Sequence, residues 1–260
     1  MVVDPADGGK IVSIVGGSRE WLEPSTARSG IGRYEGGGGW DECAPTVGDC
    51  VIDDSTVLVD HGDAWRKPWT VETSTPRRIK MNVMLDTVGV TLTRTIRPTR
   101  HGVRLGYRAH TRSTEAVPLL WCAHPLFKAS EGEQLVVRGP FIEHFPAFGN
   151  ILSDLPNMDQ ISVGTAIKAF GLSKLDRAEI KHPAGFALQI RWSGWPIGET
   201  GIYVDNGVFS GRPILGIEPS TGRHDLASEV WAELPVVTAR RPLRWAIEVR
   251  LNHEAGRSRV

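Results

Sequence analysis

Cysteine is scarce in this 260-residue chain: only Cys43, Cys50 and Cys122 occur, and no two are spaced as CxxC. A small disulfide-framed scaffold is thereby excluded, and a reduced, cytoplasmic protein is the expectation. No apolar run approaches the roughly 20 residues that cross a bilayer. The opening MVVDPADGG carries acidic residues and no apolar stretch, so neither an anchor nor a secretory leader is expected. An excess of either charge is also missing, with 30 Lys and Arg against 30 Asp and Glu. Nucleic acid and anionic membrane are therefore not expected partners, and Arg77-Arg78 and Arg240-Arg241 read as solvated surface pairs. No HxH or HExxH pattern, GxSxG elbow, GK[ST] loop or strand–GxGxxG–helix setting is found, so neither a metal nor a nucleotide cofactor is expected.

Tryptophan, by contrast, is abundant, with nine against three tyrosines. Trp21, Trp121, Trp231 and Trp245 sit in apolar surroundings and read as core. Trp40, Trp65, Trp69, Trp192 and Trp195 stand beside Gly, Pro and charged residues, where an indole suits the C–H face of a pyranose. Alternating or β-branched runs recur at Lys10–Val15, Thr56–Val59, Ile79–Leu85, Val88–Ile96, Val103–Ala109, Gln134–Val137, Ala187–Trp192, Thr200–Val204 and Arg244–Leu251. Gly and Pro, 29 and 17 in number, punctuate them. Ile161–Phe170 and His224–Trp231 are the best helix candidates. Many strands and few short helices predict an all-β antiparallel sandwich, forming one domain over residues 1–260. The Gly36–Gly39 run is too short to link domains and instead lets the backbone turn sharply before Trp40 and approach a ligand.

Three segments concentrate chemistry. His61 follows the apolar run Val57-Leu58-Val59 and lies in Asp60-His61-Gly62-Asp63-Ala64-Trp65. This setting fits the floor of a pocket and equally a histidine held by Asp60 or Asp63. His124 emerges from Leu119-Leu120-Trp121-Cys122-Ala123, so partial desolvation would keep its imidazole responsive near neutrality. A structural histidine satisfied by a carbonyl is the alternative. Glu218 follows the apolar Ile214-Leu215-Gly216-Ile217 and precedes Pro219-Ser220-Thr221-Gly222. A carboxylate there is costly unless it serves a purpose, whether catalysis, the following turn, or a pairing with Arg223. Asp41 and Glu42 stand beside Trp40, placed to bind hydroxyls or to cap a loop. His101, His110, His144, His182, His224 and His253 lack such settings and are set aside.

Read in order, GWDECAPT, DHGDAW, CAHPLF and GIEPSTG make the chain resemble the aldose 1-epimerase (galactose mutarotase-like) superfamily over nearly its whole length. The resemblance implies a β-supersandwich and a cofactor-independent isomerase acting on a small-molecule carbohydrate. It implies His61 as a substrate-binding histidine, His124 as general acid and Glu218 as general base. Trp40, Trp65 and Trp69 would cover the sugar face, Asp41 or Glu42 would accept its hydroxyls, and Asp205 occupies the region of a further binding aspartate. The Asn-Arg motif of galactose mutarotases is missing before His61, and His124 lies in AHPLF rather than a tyrosine-rich context, which leaves the sugar open. A carbohydrate-binding module on the same fold is the rival expectation, since binding needs the indoles but no paired acid and base.

Overall fold

Period-two burial decides the architecture. In the computed structural model, which describes residues 1–25, 37–153, 155, 160–209 and 211–253, the alternating runs become antiparallel strands with one face buried. Among the described residues a nine-stranded sheet runs in the order Val2–Asp4, Lys10–Ser13, Gly39–Cys43, Cys122–Lys128, Pro213–Ser220, Glu199–Asn206, Ala166–Gly171, Phe141–Phe145 and Ile151–Leu152. An eight-stranded sheet runs Gln134–Val136, Arg177–His182, Phe186–Ser193, Leu243–His253, Gly102–Thr111, Val90–Thr99, Arg78–Leu85 and Thr70–Thr75. Every strand pairing is antiparallel, so the expected all-β sandwich is what forms. Ile11, Trp40, Phe127, Ile202 and Ile217 from the first sheet and Leu92, Leu105, Ile190 and Ile247 from the second belong to one buried apolar cluster.

Two helix expectations are corrected. The stretch Ile161–Phe170 is not helical: Ala166–Gly171 is a strand paired on both sides, with Phe141–Phe145 and with Glu199–Asn206. Two flanking ladders satisfy its backbone more completely than an isolated helical turn, and tertiary pairing overrides local propensity. Within His224–Trp231 only the single turn Ala227–Val230 is helical. The other helix, Gly62–Arg66, is also short, and no helix among the described residues is long and apolar enough to cross a membrane.

The Gly39–Cys43 strand divides its side chains between two worlds. Trp40 and Glu42 point into the sandwich, whereas Asp41 points to the outer face of the nine-stranded sheet. Trp40 and Glu42 are fully buried, which corrects the expectation that they contact sugar. Trp40 packs edge-on against Phe127, with ring centroids 6.5 Å apart. Glu42 accepts hydrogen bonds from Arg94 Nη1 (2.8 Å), Tyr107 Oη (2.7 Å) and Trp121 Nε1 (2.8 Å). Arg94 and Tyr107 belong to the eight-stranded sheet, so this network ties the two layers together. Burial pushes the Glu42 carboxyl up and Arg94 beside it opposes that shift. Trp69, also expected at the sugar face, is buried too: its Nε1 donates to Ala64 O (2.9 Å) and its ring lies 4.9 Å from the Arg94 guanidinium. Removing Arg94 leaves a buried carboxylate without its counter-charge. Arg94→Met should therefore lower the unfolding free energy by about 3–5 kcal/mol in urea denaturation.

Candidate functional site

On the outer face of the nine-stranded sheet a cavity of about 520 Å³ opens above the strands that carry Asp41, His124, Glu218, Tyr203 and Lys168. Strand register explains the gathering. Asp41 pairs with His124, and the pairs Cys122–Ser220 and Leu126–Gly216 bracket His124 opposite Glu218. Residues on one row of neighbouring strands share a face, so three residues far apart in sequence meet. The segment after Cys43 then folds over this row. His61 adopts a left-handed backbone (φ 58°), which is uncommon for a residue with a Cβ, and places its ring 5.2 Å from that of His124. Gly62 follows at φ 66°; a side chain there would meet Ala44 O at 2.2 Å, so only glycine lets this turn sit on the sheet. Trp65 lies one turn on, its ring 4.9 Å from His61; it is largely buried and lines the cavity wall.

Glu218 is fully buried, and its two oxygens have different fates. Oε2 accepts a short hydrogen bond from Lys168 Nζ. Oε1 has no hydrogen-bond partner among the described residues and lies 3.4 Å from His124 Nε2. Lys168 sits two strands away and reaches Glu218 across Gly201. A Cβ at 201 would stand 3.2 Å from Glu218 Oε2 and 3.3 Å from Lys168 Cε, so the gap left by glycine is the passage for the ion pair. Lys168 also pairs with Asp225 Oδ1 (2.9 Å), whose Oδ2 is 3.8 Å from His144 Nε2. Asp41 pairs with the buried Lys10 at 3.3 Å.

Burial dominates the electrostatics. It pushes the Glu218 carboxyl up, against the pull of Lys168. It pushes His124 down to about 3, helped by the charges of His61 and Lys168. Burial also opposes ionisation of Asp225, but the Lys168 ammonium outweighs it and holds that carboxyl below its usual range. Lys168 is likewise opposed by burial and held protonated by Asp225 and Glu218. The chemical result is a buried carboxyl and a neutral imidazole, both facing one cavity with a cation behind the carboxyl.

The structure thus brings together His61, Asp41, Trp65, His124 and Glu218 of the sequence-based candidates. Of the Gly36–Gly39 run, Gly36 lies outside the described residues, and Gly37 and Gly38 line the cavity. Asp205 is not in the cavity: it is buried, and its oxygens accept from Val208 N (2.6 Å) and Phe209 N (3.1 Å), capping the turn after its strand. The alternatives for the other residues separate as well. Arg223 pairs with Glu199 (2.7 Å) and not with Glu218, and Asp63 accepts from Thr87 rather than from His61. Asp60 does lie 3.0 Å from His61 Nδ1. Sequence reasoning missed Lys168, Asp225, Tyr203 and His144, all of which line the cavity. The signal for Lys168 was a lone cation inside the apolar run Ala166-Ile167-Lys168-Ala169-Phe170. Among the described residues no group of three His, Cys, Asp or Glu side chains is arranged to hold a metal ion.

No protein-family model and no curated protein matches the sequence. Solved structures do match. A protein from Synechocystis sp. PCC 6803 superposes with a TM-score of 0.80 at 16% identity, over 97% of this chain and 91% of that one. A protein provisionally assigned as an aldose 1-epimerase from Escherichia coli K12 gives 0.76 at 14% identity, over 96% and 94%. A galactose mutarotase-like protein from Lactobacillus casei ATCC 334 gives 0.71 at 15% identity, over 95% of each chain. The fold is therefore the galactose mutarotase-like β-sandwich.

The depressed His124 has a measurable signature. Between its value of about 3 and the ordinary 6.5, the unfolded chain takes up a proton at this site and the folded chain does not, so stability should fall as pH drops through that window. In the ligand-free protein the His124 imidazole resonances should stay flat from about pH 8 to about pH 5; a midpoint near 6.5 would contradict this burial.

Proposed function

We propose that this chain is a cofactor-independent isomerase of the aldose 1-epimerase type, interconverting the α and β anomers of a small sugar. The carrying observation is the approach of Glu218 Oε1 to His124 Nε2, 3.4 Å, at the floor of a cavity walled by His61 and Trp65. Ring opening requires one group to take the proton of the anomeric hydroxyl and another to give a proton to the ring oxygen as the bond from C1 to that oxygen breaks. Glu218 as carboxylate takes the first, and His124 as imidazolium gives the second. Opening leaves the proton on Glu218 and His124 neutral. Rotation about C1–C2 presents the other carbonyl face, and closure runs the same transfers backwards.

The pair works with one proton between them, and its titration belongs to both groups together. Burial raises Glu218 and lowers His124, so it biases both groups toward the uncharged forms that ring opening leaves behind. His61 supports the reading as a hydrogen-bonding group beside the sugar, Trp65 as an indole for its C–H face, and Asp41 as an acceptor for a hydroxyl. The fold shared with proteins assigned to this activity supports it as well.

The test is anomer exchange by NMR across free aldoses and sugar phosphates. His124→Ala and Glu218→Gln should each slow exchange by about 10²–10⁴-fold while the fold survives. Retained exchange in either variant would sink the assignment. Binding of a sugar without exchange in the wild type would favour a binding module.

A further inference from the structure

Glu218 does not stand alone in its pocket. Around it are His124 and Cys122 on their shared strand, Cys43 and Asp41 on the next, Tyr203 and Lys168 on the other side, Asp225 in the turn that follows, and His61 from above. Among these groups only Lys168 touches a Glu218 oxygen with a formal positive charge. A lysine in an apolar strand is expensive to desolvate, and here its ammonium is spread over two carboxylates from different parts of the chain. Glu218 takes it on Oε2, which turns Oε1 toward His124 and the cavity. Asp225 takes it on the other side and is itself only partly buried, with a quarter of its side chain exposed. A bridge needed only to hold strands together has no use for the second carboxylate, nor for a glycine cleared from its path at 201.

We propose that Lys168 and Asp225 are positioning residues for Glu218: the ammonium fixes which carboxylate oxygen faces the substrate, and Asp225, by sharing that ammonium, sets the pH range in which the Glu218–His124 pair holds a single proton. This rests on the acid–base reading of the cavity. The two residues act with opposite sign. Lys168 stabilises the ionised form of Glu218 and disfavours His124 imidazolium, so without it both steps of the pair move to higher pH. Asp225 is a nearby negative charge that does the reverse, so without it both steps move to lower pH.

The experiment is a carbon NMR titration of the Glu218 side-chain carboxyl, with pH profiles of glucose and galactose anomerisation, in wild type, Lys168→Met, Lys168→Arg and Asp225→Asn. The carboxyl midpoint should rise by about one pH unit in Lys168→Met and fall by a comparable amount in Asp225→Asn. Lys168→Arg should keep it near wild type. The rate profiles should move in the same directions, with kcat in Lys168→Met reduced about tenfold or more and KM changed far less. Shifts of the same sign in Lys168→Met and Asp225→Asn, or no shift in either, would overturn the proposal. If Lys168→Met does not fold, Asp225→Asn and Lys168→Arg carry the same decision. Should wild type turn over neither sugar, the rate profiles pass to the wider panel of aldoses and sugar phosphates that tests the enzymatic reading, and the carboxyl titration by itself decides whether Lys168 and Asp225 govern Glu218.

Discussion

The carboxylate of Glu42 is the constraint on which this architecture turns. It lies fully out of water between the two sheets and reaches a guanidinium, a phenol and an indole. A buried charge is tolerable only when its lone pairs are filled, and here the donors come from both layers of the sandwich. By fixing the inward face of the Gly39–Cys43 strand, that network also fixes what points outward. Asp41 must face the cavity because Glu42 faces the core, and the ladder then carries the same orientation to His124 and Glu218.

Electrostatics inside the cavity follows from this placement. On a sheet face roofed by a folded-over segment both members of the acid–base pair are largely withdrawn from solvent, so burial moves them away from their solution behaviour. The direction differs because burial disfavours charge, which is negative on one group and positive on the other. Their proton affinities thereby approach and cross. Lys168 limits how far the carboxyl can follow this trend, which is why a cation belongs behind a candidate base in so closed a space. The carboxyl and the imidazole are consequently not independent groups, and neither can be altered without changing the other.

Most of the fold was legible in the sequence because strand periodicity is local: runs such as Ile79–Leu85 and Arg244–Leu251 are strands where expected. Ile161–Phe170 was misread because its apolar spacing suits a helix as well as a strand, and pairing partners far along the chain decide the matter. In the site, His61, His124 and Glu218 stood out as polar residues set at the ends of apolar runs. Trp40 and Trp69 misled because neighbouring Gly, Pro and charged residues mimic a loop, whereas a single step in a strand separates the cavity face from the core. Lys168 and Asp225 were invisible as a pair. Lys168 reaches Glu218 over Gly201 of the intervening strand, and Asp225 arrives from the turn beyond Ser220, a meeting that no local pattern encodes.

The cysteines acquire a practical meaning from the same geometry. All three are free; Cys43 and Cys122 are partners in the ladder, fully and almost fully buried, and continue the strand faces that bear Asp41 and His124. Burial pushes both thiols well above their ordinary range, so thiolate is scarce and little of either sulfur meets solvent. Cys50, partly exposed, is the thiol an alkylating reagent meets first. Modification at the other two must wait for the roof over the strands to lift. Their labelling rate would therefore clock the opening of the cavity floor, an internal chemical gauge that requires no added probe.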